Sequence, residues 1–471
     1  MQESVPKALL RRFLLMNKYI LGIDLGTSSV KVMKYNLNGE VEVSKEKYSE
    51  ISVKGWIDAI VKILKRQNLT DVFAIGLTSQ VGTYLVNGNE IISWNEPNGA
   101  IELEEIKGKY SSDLFMKEIS MVQPSIVSYP LPRLLYIKRN FGEPCEICQP
   151  KEKIAEFLTG NCVTDKYSWR GLANTENSDY SDFFLEEIGI DKNILPKICD
   201  IFSSCGKVTK KAETITGLKE GIPVYVGLND FYASLLGMGI VEENAVFDIT
   251  GTSEHIGVIK KAIDTKTSLV SSEYFGNAVT YGVTASSGTS LDFGVSVFGE
   301  DKNSVYDIKN APIFTPYLNG ERAPIFDSSA SGTFFGITSK TTKKDMMYSV
   351  LEGVAFSIYH IFTEMQTEKT ERIIVSGGAS GIDILNRIKA TLFETELITT
   401  KIHDTSALGA CLVAIVGMGV YPDIKTAIKN VVKTDKVYRG DMDRSMLLKR
   451  FEMYKEIYPS LKSKYKKLKE I

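Results

Sequence analysis

Histidine is scarce in this chain. His255, His360 and His403 are the only three in 471 residues, and they form no visible ligand set. Cysteine is thin as well: Cys145, Cys148, Cys162, Cys199, Cys205 and Cys411 fall short of the density of a disulfide framework. Cys145-Glu-Ile-Cys148 has metal or redox spacing, but no second pair and no nearby histidine completes a site. The six are read as free thiols in a reducing cytosol. Charge of one sign is lacking too, with 56 Lys and Arg against 58 Asp and Glu and a net charge of −2. Nothing in that balance favours nucleic acid or an acidic membrane as a partner. The one Lys-rich stretch, Lys449 to Lys469, reads as the solvated face of a terminal helix. Long apolar runs are missing. Leu408 to Tyr421 carries glycines and falls short of a membrane span. Leu9 to Leu15 is interrupted by Arg11 and Arg12 and is too short for a signal peptide, so residues 1–16 read as an extension before the first strand. The expectation is a cytoplasmic protein.

At 471 residues the chain exceeds what one hydrophobic core supports, so two domains are expected, 17–237 and 238–471. Ile20 to Leu25 reads as a buried strand, Gly26-Thr27-Ser28 as a tight turn, and Ser29 onward as the return strand. Glycine lets the backbone approach a phosphate, and the hydroxyls and N–H groups around it then face the anion. Asp24 is placed to hold magnesium, directly or through water. An ordinary hairpin with Gly-Thr-Ser turn chemistry has the same local pattern. Asp248-Ile-Thr250-Gly251-Thr252-Ser253 repeats that pattern far downstream. The fold class expected is therefore α/β, two similar lobes of mixed sheet and helices with a ligand cleft between them.

Three further segments carry polar chemistry. Asp230 follows a strand at the head of a helix, where it serves either as a general base or as an N-cap. Gly377-Gly378-Ala379 follows a buried strand and either lets a ligand lie on the backbone or simply turns the chain into a helix. Gln80, with Trp94-Asn95-Glu96 after a short hairpin, would suit a polyhydroxylated ligand, although Trp94 alone fits a core position equally well.

These pieces together resemble the FGGY carbohydrate kinases of the actin-like ATPase superfamily. Gly332-Thr-Phe-Phe-Gly336-Ile337, seven residues, then Asp345-Met346-Met-Tyr-Ser349-Val350-Leu351-Glu352 fits the family's C-terminal signature throughout. Ser128-Tyr-Pro130-Leu-Pro-Arg133-Leu-Leu-Tyr136 is similar to the N-terminal one, with Arg133 and Tyr136 in place of Lys and Trp. Thr164-Asp165, Gly206 to Thr209, Thr216 to Leu218 and Pro316 to Pro324 look like further landmarks.

The resemblance implies two actin-like, ribonuclease H-like domains, the first sugar-binding and the second ATP-binding. ATP and Mg²⁺ are the implied cofactors, with Asp24 the metal-associated aspartate. Thr27, Ser28 and Lys31 would lie near the phosphates, Gly251 and Thr252 at the β- and γ-phosphates, and Gly377, Gly378, Ala379 and Asn386 at the adenosine. Asp230 falls on the catalytic base. Gln80, Val81, Gly82, Trp94 and Glu96 would line the sugar pocket, and a ketose such as xylulose is the implied acceptor. Here the chain departs from xylulokinase-like members: Gln80-Val81-Gly82-Thr83 lacks a histidine, and Trp94 to Asn98 lacks an arginine. A catalytically silent sugar sensor and a chaperone or filament ATPase of the superfamily are the rival readings. The terminal helix, Tyr454 to Tyr465, is expected to dock on its own lobe or on a second copy in a homodimer.

Overall fold

The computed structural model describes residues 18–470 apart from 175, 301, 303–305, 307–309 and 366–369. The extension 1–16 lies outside the described residues. The chain divides into two compact units, the first running to Gly239 and taking in Asp404–Val432, the second comprising Ile240–His403 and Lys433–Ile471.

In the first unit, β1 (Tyr19–Leu25), β2 (Ser29–Asn36) and β3 (Val41–Lys47) form an antiparallel meander. β4 (Val72–Ser79) adds parallel to β1, with Asp24 opposite Thr78. Strand Pro223–Asn229 follows parallel to β4, and Ser204–Lys207 closes the edge. β1 and β4 read as nearly unbroken apolar runs because both of their faces are covered. β3, at the other edge, is largely exposed, and its Glu and Lys side chains discourage pairing with another chain. One face of the sheet is covered by helix Val53–Leu64, which Ser52 starts by accepting from the Gly55 N–H and which buries Trp56, Ile60, Ile63 and Leu64. A small sheet in the order β6-β5-β7 carries β5 (Tyr84–Val86), β6 (Glu90–Ile92) and β7 (Ile147–Cys148).

The second unit repeats the main sheet. Strands Asn277–Val283, Glu254–Lys260 and Val246–Thr250 take the places of β3, β2 and β1, and Arg372–Gly377 takes that of β4. Glu396–Thr400 and the antiparallel edge strand Thr434–Tyr438 complete the parallel side, while Val270–Tyr274 extends the opposite edge. Helices Lys343–Glu364 and Arg444–Lys469 build the adjoining core through Tyr348, Leu351, Phe356, Phe451 and Tyr454. The terminal helix docks on its own unit: Tyr317 donates to the Tyr454 hydroxyl at 2.9 Å, and Tyr465 shares a 2.7 Å bond with Thr333.

Within residues 100–205, helices such as Pro130–Phe141 and Pro150–Thr159 alternate with two-residue strands and loops. The stretch 238–471 is not one continuous unit, because 404–432 folds with the first. The reason is steric. Helix Thr405–Gly417 lies directly on the first sheet, where a Cβ on Gly22 would sit 2.2 Å from the Ala407 carbonyl oxygen and one on Gly76 only 1.9 Å from that of Ala410. The apolar run at Leu408 is thus a core helix, and no helix among the described residues is long and apolar enough to cross a membrane.

Candidate active site

In the first unit the β1–β2 turn behaves as its sequence suggests: the Gly26 N–H closes it onto the Ser29 carbonyl at 3.0 Å, leaving Thr27 and Ser28 exposed. Asp24, at the end of β1, is only 6% exposed. Its Oδ2 accepts from Ser406 at 2.5 Å, while Oδ1 has no hydrogen-bond partner among the described residues. Burial raises the Asp24 carboxyl above its ordinary range, against the Ser406 bond and the Lys31 charge. A buried carboxylate oxygen left without a donor suits a hard cation, so the residues present fit magnesium. Lys31 on β2 is held at 2.5 Å by Asp404. Both partners, Asp404 and Ser406, start the helix that rests on Gly22.

Asp230 occupies the first turn of helix Asp230–Met238 but does not cap it. Asn229 is the cap, its Oδ1 accepting from the Tyr232 N–H at 3.1 Å, and Asp230 accepts from the adjacent Phe231 N–H at 2.8 Å. Burial, reinforced by the Asp24 charge, pushes the Asp230 carboxyl up to about 7, with the Arg170 charge opposing. The approach to Asp230 is braced from behind. Lys151, buried and paired with Asp165, also donates to the Gly227 carbonyl at 3.3 Å.

The polar loops of the same unit meet these groups. Gln80 follows β4, its N–H bonded to the Leu25 carbonyl at 2.8 Å and its buried Oε1 left without a donor among the described residues. Val81 is half-buried, and the Gly82 N–H donates to Gln149 Oε1 at 3.0 Å. The indole N–H of Trp94 donates to Thr27 Oγ1 at 3.0 Å, joining the proposed sugar loop to the proposed phosphate turn. Glu96 accepts from Asn98 at 3.0 Å. Arg133, fully buried, fixes this loop by donating from Nη2 to the carbonyls of Ser93 and Glu96 at 2.9 and 2.8 Å.

In the second unit the Gly251-Thr252 turn is exposed and clasped from two sides. The Gly288 N–H donates to the Gly251 carbonyl at 2.9 Å and the Ser287 N–H to that of Thr252 at 3.0 Å. On the other side the Ala379 N–H donates to Thr250 Oγ1 and the Gly378 N–H to the Thr250 carbonyl, both at 2.9 Å. Gly377 adopts φ +96°, and a Cβ there would stand 2.0 Å from the Thr250 oxygen, so only glycine permits this junction. Asn386 donates to the Ser380 carbonyl at 2.7 Å, which fixes the loop on the following helix, Asp383–Phe393. Beneath the turn, Lys389 joins Asp248 and Glu254, all three fully buried. Burial and the Asp248 charge raise the Glu254 carboxyl.

Two family models, the N- and C-terminal domains of the FGGY family of carbohydrate kinases, match residues 19–237 and 249–418. The chain belongs to this family. It is a carbohydrate kinase, a phosphotransferase using ATP. Over 93% of its length this kinase is 28% identical to a xylulose kinase of Staphylococcus xylosus, 99% of which is covered. A gluconokinase of Bacillus subtilis is 24% identical, with 86% of this chain and 88% of the relative covered. A ligand-bound xylulose kinase from Lactobacillus acidophilus superposes with a TM-score of 0.84 at 24% identity, covering 96% of this chain and 100% of the other. A gluconate kinase from the same species gives 0.83 at 23%, with 96% and 99% covered. At those identities the superpositions establish the fold, two actin-like domains.

The kinase's C-terminal signature is structural in this chain. Asp345 forms a capping box with Thr342, and Glu352 pairs through both oxygens with Arg450 at 2.7 and 2.6 Å. Sequence reasoning missed Asp404, Ser406 and Arg170, each without a motif of its own. Only the Asp-Thr-Ser pattern before an apolar helix, a helix-start signal at 404–406, hinted at the first two.

Proposed function

We propose that this kinase transfers the γ-phosphoryl group of ATP to a hydroxyl of a ketose such as xylulose. The observation that carries the reading is Asp230: released from capping by Asn229 and raised to about 7, it is poised to accept a proton near neutral pH. In this reading Asp230 takes the proton of the acceptor hydroxyl as that oxygen attacks the γ-phosphorus, and ADP leaves. Asp24 would hold magnesium, which neutralises phosphate charge when bound. Thr27, Ser28, Lys31, Gly251 and Thr252 would contact the phosphates. Gly377, Gly378, Ala379 and Asn386 would line the adenosine. Gln80, Val81, Gly82, Trp94 and Glu96 would orient the sugar. Two carboxylates among the acceptor-side residues, Asp230 and Glu96, favour a neutral polyol over a sugar acid.

A coupled ADP-release screen over pentuloses, hexuloses, heptuloses, aldonates and glycerol tests this. Xylulose or another neutral ketose is expected to give the highest kcat/KM; an aldonate in that place overturns the acceptor class. Sugar binding without ADP formation supports the silent sensor instead. Asp230→Asn is expected to lower kcat by at least about a hundredfold while ATP still binds, and retained turnover would remove Asp230 from the base role.

A further inference from the structure

One cluster of reactive side chains in the first unit has no part in phosphoryl transfer. Cys148 ends β7, and Cys162 follows the C-terminus of helix Pro150–Thr159. Both sulfurs and a carboxylate oxygen of Glu146 lie within 4.8 Å of one another. Cys148 is fully buried, and Glu146 and Cys162 are half-buried. The partner suggested by sequence spacing, Cys145, is exposed and instead directs its thiol to Asn87 Oδ1 at 3.2 Å. Cys162 therefore supplies, from across a helix, the second sulfur that no local motif announces.

We propose that Glu146, Cys148 and Cys162 bind a borderline-soft divalent cation of the zinc type, with water as the fourth ligand. Two sulfurs and one carboxylate are a donor set that zinc accepts and magnesium does not, which separates this site from Asp24. Zinc–sulfur bonds of about 2.3 Å in a tetrahedral site set ligand atoms roughly 3.5–4 Å apart, which side-chain rotation can reach from separations of no more than 4.8 Å. Two thiolates and a carboxylate bring three negative charges against two on the divalent cation, and the Lys153 ammonium, which bridges Glu146 Oε1 at 2.6 Å and Glu156 Oε2 at 2.8 Å, adds positive charge beside the site. The two thiol protons leave to solvent, so affinity falls as pH falls. The cation would tie the return strand after the helix to β7. β7 pairs with β5 through Leu85 and Cys148, and the next residue, Gln149, holds the Gly82 N–H.

Cobalt titration of the full-length, reduced, chelator-treated protein tests the site, because sulfur-to-cobalt charge-transfer absorption reports thiolate ligation and the Asp24 site has no sulfur. One equivalent is expected to develop that absorption together with the visible bands of tetrahedral cobalt, and zinc is expected to displace it. Cys162→Ser and Glu146→Gln, at half-buried positions that tolerate the change, are expected to weaken zinc binding at least about tenfold, and Cys162→Ser to remove most of the sulfur band. Cys145→Ser should leave both unchanged. No charge-transfer band, a band that survives Cys162→Ser, or one lost in Cys145→Ser would each overturn the proposal. So would a Cys148–Cys162 disulfide in reduced, metal-exposed protein.

Discussion

In its proposed role as base, Asp230 is a carboxyl whose setting has consequences for both rate and stability. Its pKa is raised from the ordinary carboxyl value to about 7, first by burial and then by Asp24. A base must be ionised to work, so kcat/KM for the sugar, at saturating ATP, is expected to fall as pH drops through about 7, with a slope of one. Stability runs the other way. Above pH 4 the unfolded chain ionises this group while the folded protein resists, so stability is lost between about 4 and 7 and does not return above that. Asp230→Asn is therefore expected to unfold later than the parent at pH 8, by on the order of 1–3 kcal/mol after allowance for solvent screening, in urea titrations. Equal or lower stability of the variant would contradict the burial argument. Arg133 makes a different residue-scale case. A lysine there keeps the charge but not the planar fork that spans the carbonyls of Ser93 and Glu96. Arg133→Lys should raise the sugar KM several-fold with the ATP KM unchanged; a matching rise in both would point to general loosening.

At the scale of elements, the two hairpins were readable because their information is local: a buried strand, a glycine turn, a return strand. The partners of Asp24 and Lys31 were not. Ser406 lies 382 residues from Asp24 and Asp404 lies 373 from Lys31, and no periodicity spans that distance. Gly22 was legible only as part of the phosphate motif. Its structural duty is to admit helix Thr405–Gly417, whose first residues then reach Asp24. Gly76→Ala would drive a Cβ into the Ala410 carbonyl, which overpacking normally costs about 1–3 kcal/mol; loss of activity alongside reduced urea stability would show the helix and the site moving together. Lys389 holds the second hairpin by charge. Lys389→Met leaves Asp248 and Glu254 buried without their cation, and about 3–5 kcal/mol of stability is expected to disappear at pH 7.5.

For the whole molecule, the repeat of strand order in the two units was anticipated by the paired Gly-Thr-Ser turns, whereas the path of the chain was not. The first crossing between units comes after Gly239. The chain crosses again after His403 and after Val432, and between those crossings helix Thr405–Gly417 packs on the first sheet at Gly22 and Gly76. A fragment ending at Gly239 is therefore expected to remain unfolded or to aggregate. The same fragment fused through a flexible linker to 404–432 should give a cooperative thermal transition by circular dichroism. A cooperative transition for the short fragment alone would show that the helix is dispensable.

Synthesis order gives that late helix a temporal meaning. A nascent chain emerges from the ribosome N-terminus first, and early segments commonly fold before later ones exist. Here Gly22 and Gly76 are made early, while the helix that covers them comes after every strand of the second sheet except the edge strand Thr434–Tyr438. A ribosome that stalls at residue 400 thus releases a chain with neither Ser406 beside Asp24 nor Asp404 beside Lys31. The placement of one helix makes completeness of the polypeptide a precondition for assembling the Asp24 site, so a truncated translation product is left without it.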